Sequence, residues 1–172
     1  VGAYDLIEGQ RKIPDPDGQG NKFFENVGDK FIDVTQKVNI FSSNIGFGLG
    51  ITLSDFNNDG WTDLFISNDF FEKDYLYINN KDKTFSENSS KYFKSMSLGS
   101  MGADSADLDN DLLTDLFVTE MLPKSLERKK TKAVYDSWDK HQLAVSKGYY
   151  YQYPRNVLQR NYGESGLSLI HI

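Results

Sequence analysis

The sequence predicts an all-β fold: a fragment of a β-propeller, about two blades plus part of another, with one helical insertion. Three observations lead there. An acidic loop returns 52 residues after its first occurrence, strand-like runs flank both copies, and about four such runs fall within each repeat of about 50 residues, the content of one blade. A β-sandwich with a coincidental resemblance between two loops is the alternative. It does not account for the common offset, loop register and flanking strands.

Taken in order, residues 1–20 read as an N-terminal loop or linker. Val1-Gly2-Ala3-Tyr4-Asp5 has neither an initiator Met nor the basic and apolar regions of a secretory signal, so the chain is expected to begin inside a longer protein. Residues 21–45 read as the end of a preceding blade, because Asn21-Lys22-Phe23-Phe24-Glu25-Asn26, ending in Phe31, resembles Asp74-Tyr75-Leu76-Tyr77-Ile78-Asn79-Asn80, ending in Phe85. Asn156-Val157-Leu158-Gln159-Arg160-Asn161 is a third, partial copy. Residues 46–97 then form a complete blade and 98–166 a second one. Gly50 and Gly102 each stand five residues before a loop. Ile51–Ser54 and Ala103–Ala106 read as strands entering the loops, and Leu64–Ser67 and Leu116–Thr119 as apolar strands leaving them, suited to burial on both faces. Turn chemistry separates the outer strands.

The second blade is interrupted by an insertion at about 124–147. Val134, Trp138, His141 and Val145 fall on one face of a helix, bracketed by Pro123 and Gly148, and Trp138 is expected to pack that helix onto the blade. Residues 167–172 follow a loss of pattern after Gly163. They read as a non-native tail and were set aside from the fold.

Composition excludes several functions. The chain has 172 residues, no Cys, 19 Lys+Arg and 25 Asp+Glu, for a net charge of −6. Thiolate metal sites and cysteine nucleophiles are therefore absent, and the acidic balance argues against a general nucleic-acid surface. Mean hydropathy is −0.54 and no apolar stretch is long enough for a membrane-spanning helix. An aromatic content of 14% speaks for a packed core over disorder.

The acidic loops carry the chemistry. In Asp55-Phe56-Asn57-Asn58-Asp59-Gly60-Trp61-Thr62-Asp63, oxygens at positions 1, 3, 5 and 9, with a backbone carbonyl at 7, can wrap one hard cation; Ca²⁺ suits them because it takes six to eight oxygen ligands. The candidate ligands are Asp55, Asn57, Asp59, the Trp61 carbonyl and Asp63. The second loop offers Asp107, Asp109, Asp111, the Leu113 carbonyl and Asp115. Gly60 occupies position six, where a sharp turn favours φ > 0; Leu112 stands there in the second loop and leaves that turn either strained or differently shaped. An EF-hand would need Glu at position 12, which is Ile66 or Val118 here. Asp/Asn-rich turns that bind nothing are the bland reading. The two loops hold seven aspartates, so the rest of the chain carries +1.

Together with Gly46-Phe47-Gly48-Leu49-Gly50, Tyr75-Leu76-Tyr77-Ile78-Asn79-Asn80 and Pro154-Arg155-Asn156-Val157-Leu158, these loops resemble the FG-GAP and VCBS-type repeats of integrin-α-like propellers. More closely, they resemble the ASPIC/UnbV, cartilage-acidic-protein-like group. The resemblance spans roughly residues 21–163. It implies two structural Ca²⁺ sites in inter-strand loops, a secreted, periplasmic or cell-surface location, and interaction with a protein or glycan instead of catalysis. A propeller-based carbohydrate-active hydrolase or lyase, with its site outside this segment, is the alternative; Asp69, Glu72, Asp74 and His141 are the acid–base groups outside the loops, in no recognisable spacing. A third reading gives ligand recognition to Arg128-Lys129-Lys130 and Lys132 with the tyrosines of residues 149–153.

Overall fold

Period-two alternation in the apolar runs sets how the layers stack. The computed structural model describes residues 20–42, 45–123, 125–128, 138–163 and 167–170. Phe24–Val27 (β1) and Lys30–Asp33 (β2) form an antiparallel hairpin. Next comes a four-stranded antiparallel sheet in simple sequential order: Phe47–Ser54 (β3), Asp63–Asp69 (β4), Tyr75–Asn79 (β5) and Phe85–Glu87 (β6). After the one-turn helix Ser89–Tyr92 (α1) and Met96–Ser97 (β7), a second four-stranded sheet begins with Ser100–Ala106 (β8) and Asp115–Glu120 (β9). The chain then passes through helix Trp138–Ser146 (α2) and Gln152–Tyr153 (β10), and completes that sheet with Val157–Asn161 (β11) and Leu167–Ile170 (β12). The fold is thus all-β and propeller-like: two four-stranded blades, the outer hairpin of a third and one insertion.

Strand β4 sends Leu64 and Ile66 to one face and Phe65 to the other; β5 sends Tyr75 and Tyr77 one way and Leu76 and Ile78 the other. On the first face these residues meet Val34, Val38 and Ile40, which follow the β1–β2 hairpin. On the second they meet Leu116, Val118 and Val157 of the next blade. Burial of each such side chain contributes about 1.5–3 kcal/mol, and β4 and β5 collect it from both faces. The inner strands of the two blades touch directly. The Thr52 hydroxyl donates to the Ala103 carbonyl at 2.9 Å, and a Cβ on Gly50 would lie 2.9 Å from Ser67 Oγ and 3.5 Å from Gly102 Cα. Both inner strands bulge in the same place, between Gly48 and Gly50 and between Ser100 and Gly102.

Two expectations are corrected. Residues 167–170, set aside on sequence grounds, pair with β11 along Asn161–Leu158, and Leu167 enters the core. The free edge of β11 accepts an extended segment, and Leu-Ser-Leu-Ile has the apolar content to fill it. Trp138 does not pack α2 onto a blade. It is 68% exposed and stacks on His141, which stacks in turn on Tyr153. No residue of α2 is buried, so the periodic face has no apolar partner layer among the described residues. Val134 and the basic residues Lys129, Lys130 and Lys132 lie outside the described residues. Gly148, at φ +86°, ends the helix as read. Beyond it the tyrosines fasten the insertion to the first blade: Tyr149 is buried, the Tyr150 hydroxyl donates to the Phe93 carbonyl at 2.6 Å, and β10 pairs in parallel with β7.

A buried carboxyl ties the blades at the end opposite the acidic loops. Asp74 is 2% exposed; one oxygen accepts the Asn68 N–H at 2.8 Å and the other the Ser100 hydroxyl, from β8, at 2.7 Å. Burial pushes this carboxyl up to about 7, against the Asn68 N–H, the Ser100 hydroxyl and Lys73, which favour the anion. Since the folded value lies above the ordinary 3.8, the contribution is fully present below the ordinary value and declines as pH rises towards about 7. Measured by urea unfolding in EGTA, wild-type stability relative to Asp74→Asn should therefore fall between about pH 4 and pH 7. A constant difference across that window would show that Asp74 does not titrate there.

Candidate metal centre

The two acidic loops fold by the same hydrogen bonds. In the first, Asp55 accepts the N–H groups of Asp59 (3.0 Å) and Gly60 (2.7 Å), and Asp59 accepts that of Trp61 (3.0 Å). In the second, Asp107 accepts from Asp111 (3.1 Å) and Leu112 (2.9 Å), and Asp111 from Leu113 (2.9 Å). Short side chains that capture backbone N–H groups two to five residues ahead are what make Asp and Asn turn residues, and here they curl each loop around its own carboxylates. Asn57 accepts from the Asp59 N–H and donates its amide to the Asp59 carboxylate at 2.9 Å. Desolvation works against the charge of Asp59, but the Asn57 amide, Lys81 and the Trp61 N–H outweigh it and hold that carboxyl below its ordinary value.

Position six has the conformation expected for glycine in both loops. Gly60 lies at φ +85° and Leu112 at φ +67°, so the second turn keeps its shape at the cost of strain. The Leu112 side chain is 86% exposed, and no packing compensates for that strain. Position four, Asn58 or Asn110, is left-handed too, at +55° and +60°, a region Asn tolerates better than most residues.

Position nine is the buried end of each loop. Asp63 is fully buried and its two oxygens accept the N–H groups of Phe56 (2.9 Å) and Asn79 (2.8 Å). Asp115, 2% exposed, accepts those of Leu108 (3.2 Å) and Asn161 (2.8 Å). Burial raises the Asp63 carboxyl above its ordinary value despite those two N–H groups, and the nearby Asp55 and Asp59 push in the same direction. Asn79 and Asn161 thus join the site from the outer strands. Each also donates its side-chain amide to the loop, Asn79 to Thr62 O and Asn161 to Thr114 O, and each accepts the N–H two residues on, from Lys81 or Gly163, both at positive φ. Neither asparagine was singled out as a site residue. The signal is an Asn ending the corresponding strand of each blade, Tyr75–Asn79 and Val157–Asn161.

Among the described residues, the acidic cluster that could hold a hard cation is in the second loop, and it does not include Asp115; the carboxylates of Asp55, Asp59 and Asp63 form no such cluster. Carboxylate oxygens of Asp107, Asp109 and Asp111 lie within 4.8 Å of one another, and each carboxylate oxygen already accepting one N–H keeps a further lone pair. Trp61 and Leu113 enter the loops through their N–H groups, at the positions whose carbonyls would serve as ligands. The acid–base candidates outside the loops are not gathered into one cluster. Asp74 ties the blades, and His141 lies between Trp138 and Tyr153. Replacing Leu112 by Gly should relieve the left-handed strain and raise stability in EGTA by about 0.5–1 kcal/mol, while Gly60→Leu should cost a similar amount. Urea midpoints measure both. Destabilisation by Leu112→Gly would contradict the strain.

No curated protein matches the chain. Residues 55–118 match the family model of the FG-GAP-like repeat, a span that opens on the first residue of the first loop and closes in the strand after the second. This part of the chain, with both acidic loops, is similar to that repeat, which supports the FG-GAP repeat family.

Proposed function

We propose that this chain is a calcium-stabilised FG-GAP/VCBS propeller segment, nearest the ASPIC/UnbV group, from a secreted or cell-surface protein that binds another protein or a glycan. The observation that carries the reading is the repetition of one loop geometry at two sites, both with positive φ at position six, with the carboxylate oxygens of Asp107, Asp109 and Asp111 converging in the second. A divalent ion there offsets carboxylates that otherwise repel one another. Its role is structural: it crosslinks positions 1, 3, 5, 7 and 9 of a loop whose last residue is bonded to an outer strand. Mg²⁺ is the weaker candidate, since it prefers a strict octahedron and retains its waters. The role is non-catalytic in this reading, and the buried carboxyl of Asp74 is accounted for by one hydrogen bond within its own blade, from Asn68, and one from Ser100 of the next.

Thermal unfolding in EGTA and in excess Ca²⁺ tests the proposal. At a concentration 100 times its dissociation constant, an ion stabilises by about 2.7 kcal/mol per site, or roughly 5–10 °C for a domain of this size. Mg²⁺ should shift the midpoint less. A midpoint indifferent to Ca²⁺ would overturn the proposal, and equal shifts from both ions would overturn the assignment of the metal.

A further inference from the structure

The two loops differ in the basic side chain that faces them. In the first, Lys81 Nζ lies 3.2 Å from Asp59 Oδ2, a single contact from a flexible side chain 49% exposed. In the second, the Arg160 guanidinium pairs with Asp109 and also lies 3.6 Å from Asp111 Oδ2, and it sits 5.1 Å from the centre of the Tyr162 ring. Arg160 comes from β11, next to Asn161, whose N–H is bound by Asp115. The arginine is therefore anchored beside the loop by the strand that closes it. A planar guanidinium offers several donors at fixed angles and can hold two carboxylates at once, whereas an ammonium acts as a point charge. Asp109 and Asp111 are also the residues whose oxygens converge with those of Asp107.

The geometry points to Arg160 as a built-in counter-ion of the second loop, one that an incoming divalent cation has to displace. This rests on the calcium reading of the loops. Arginine and cation compete for the same two carboxylates, so the free energy of the ion pairs is subtracted from that of metal binding. The second loop is then the weaker calcium site despite its extra carboxylate, and the better closed one without metal. The first loop, with one lysine contact, is the site that depends on the ion.

Calorimetric Ca²⁺ titration and thermal unfolding in EGTA of the full chain test this, with Arg160→Gln and Arg160→Lys made in an Asp55→Asn background that weakens the first loop. Arg160→Gln should bind Ca²⁺ at the second loop roughly tenfold more tightly than its parent, as loss of two partly exposed ion pairs implies, and should unfold at lower temperature in EGTA. Arg160→Lys, which keeps the charge and loses the fork, should fall between the two in both measurements, and it serves if the Gln variant does not fold. Unchanged or weaker Ca²⁺ binding by both variants, together with an unchanged midpoint in EGTA, would overturn the counter-ion role. Calcium binding by none of the proteins would overturn the calcium reading and the competition with it. The EGTA midpoints distinguish the two failures, because they report on the Arg160 ion pairs without any metal.

Discussion

The acidic loops depend on one buried carboxylate apiece. Asp63 and Asp115 each accept an N–H from the second residue of their own loop and another from the asparagine ending the next strand pair. These bonds fix where the loop starts relative to where it ends, and fix both against β5 or β11. Removal of either carboxylate would strand two peptide N–H groups, at about 1–3 kcal/mol for each one left buried. The same interaction places a carboxylate at the inner end of the loop, where the calcium reading needs a ligand. In the first loop, burial is the main cause that raises the Asp63 carboxyl above its ordinary value, and the carboxylates at positions 1 and 5, Asp55 and Asp59, add to it.

The layers follow from that anchor. With the loop ends fixed, β4 runs between two apolar clusters and gives alternate side chains to each, and β9 gives Leu116 and Val118 to the cluster between the blades. The blades meet through their inner strands where glycines permit close approach, and again through Asp74 and Ser100 at the end away from the acidic loops. A third connection comes from the insertion, which leaves the second blade after β9 and returns over the first: Gln152 donates to the carbonyls of Phe71 and Tyr149 before β11 resumes the sheet. The aromatic stretch therefore acts as a clamp between blades.

Much of this was legible because repetition is a strong signal. The loop offset, the aspartates at positions 1, 5 and 9 and the asparagine that ends both Tyr75–Asn79 and Val157–Asn161 each reflect a requirement of the backbone or the ligand set that recurs in sequence. Other features left no such trace. A helical period at Trp138 and His141 identifies one face but not what covers it, and the rings stack along the helix and onto Tyr153. Arg160 reaches the second loop from 49 residues beyond Asp111, across an insertion, and no spacing rule connects them. The strain at Leu112 was readable only as one of two outcomes, because sequence shows that glycine is missing without showing whether the turn yields.

The anchoring role of the position-nine carboxylate is tested most directly by amide hydrogen exchange on Asp63→Ala, followed at Phe56 and Asn79. These two amides lie 7 and 16 residues from the substitution and share no bond with each other; both donate to Asp63. The account predicts that both lose protection together, with the second loop little changed. Retained protection at both amides would contradict it, because the loop would then be closed by something other than this carboxylate.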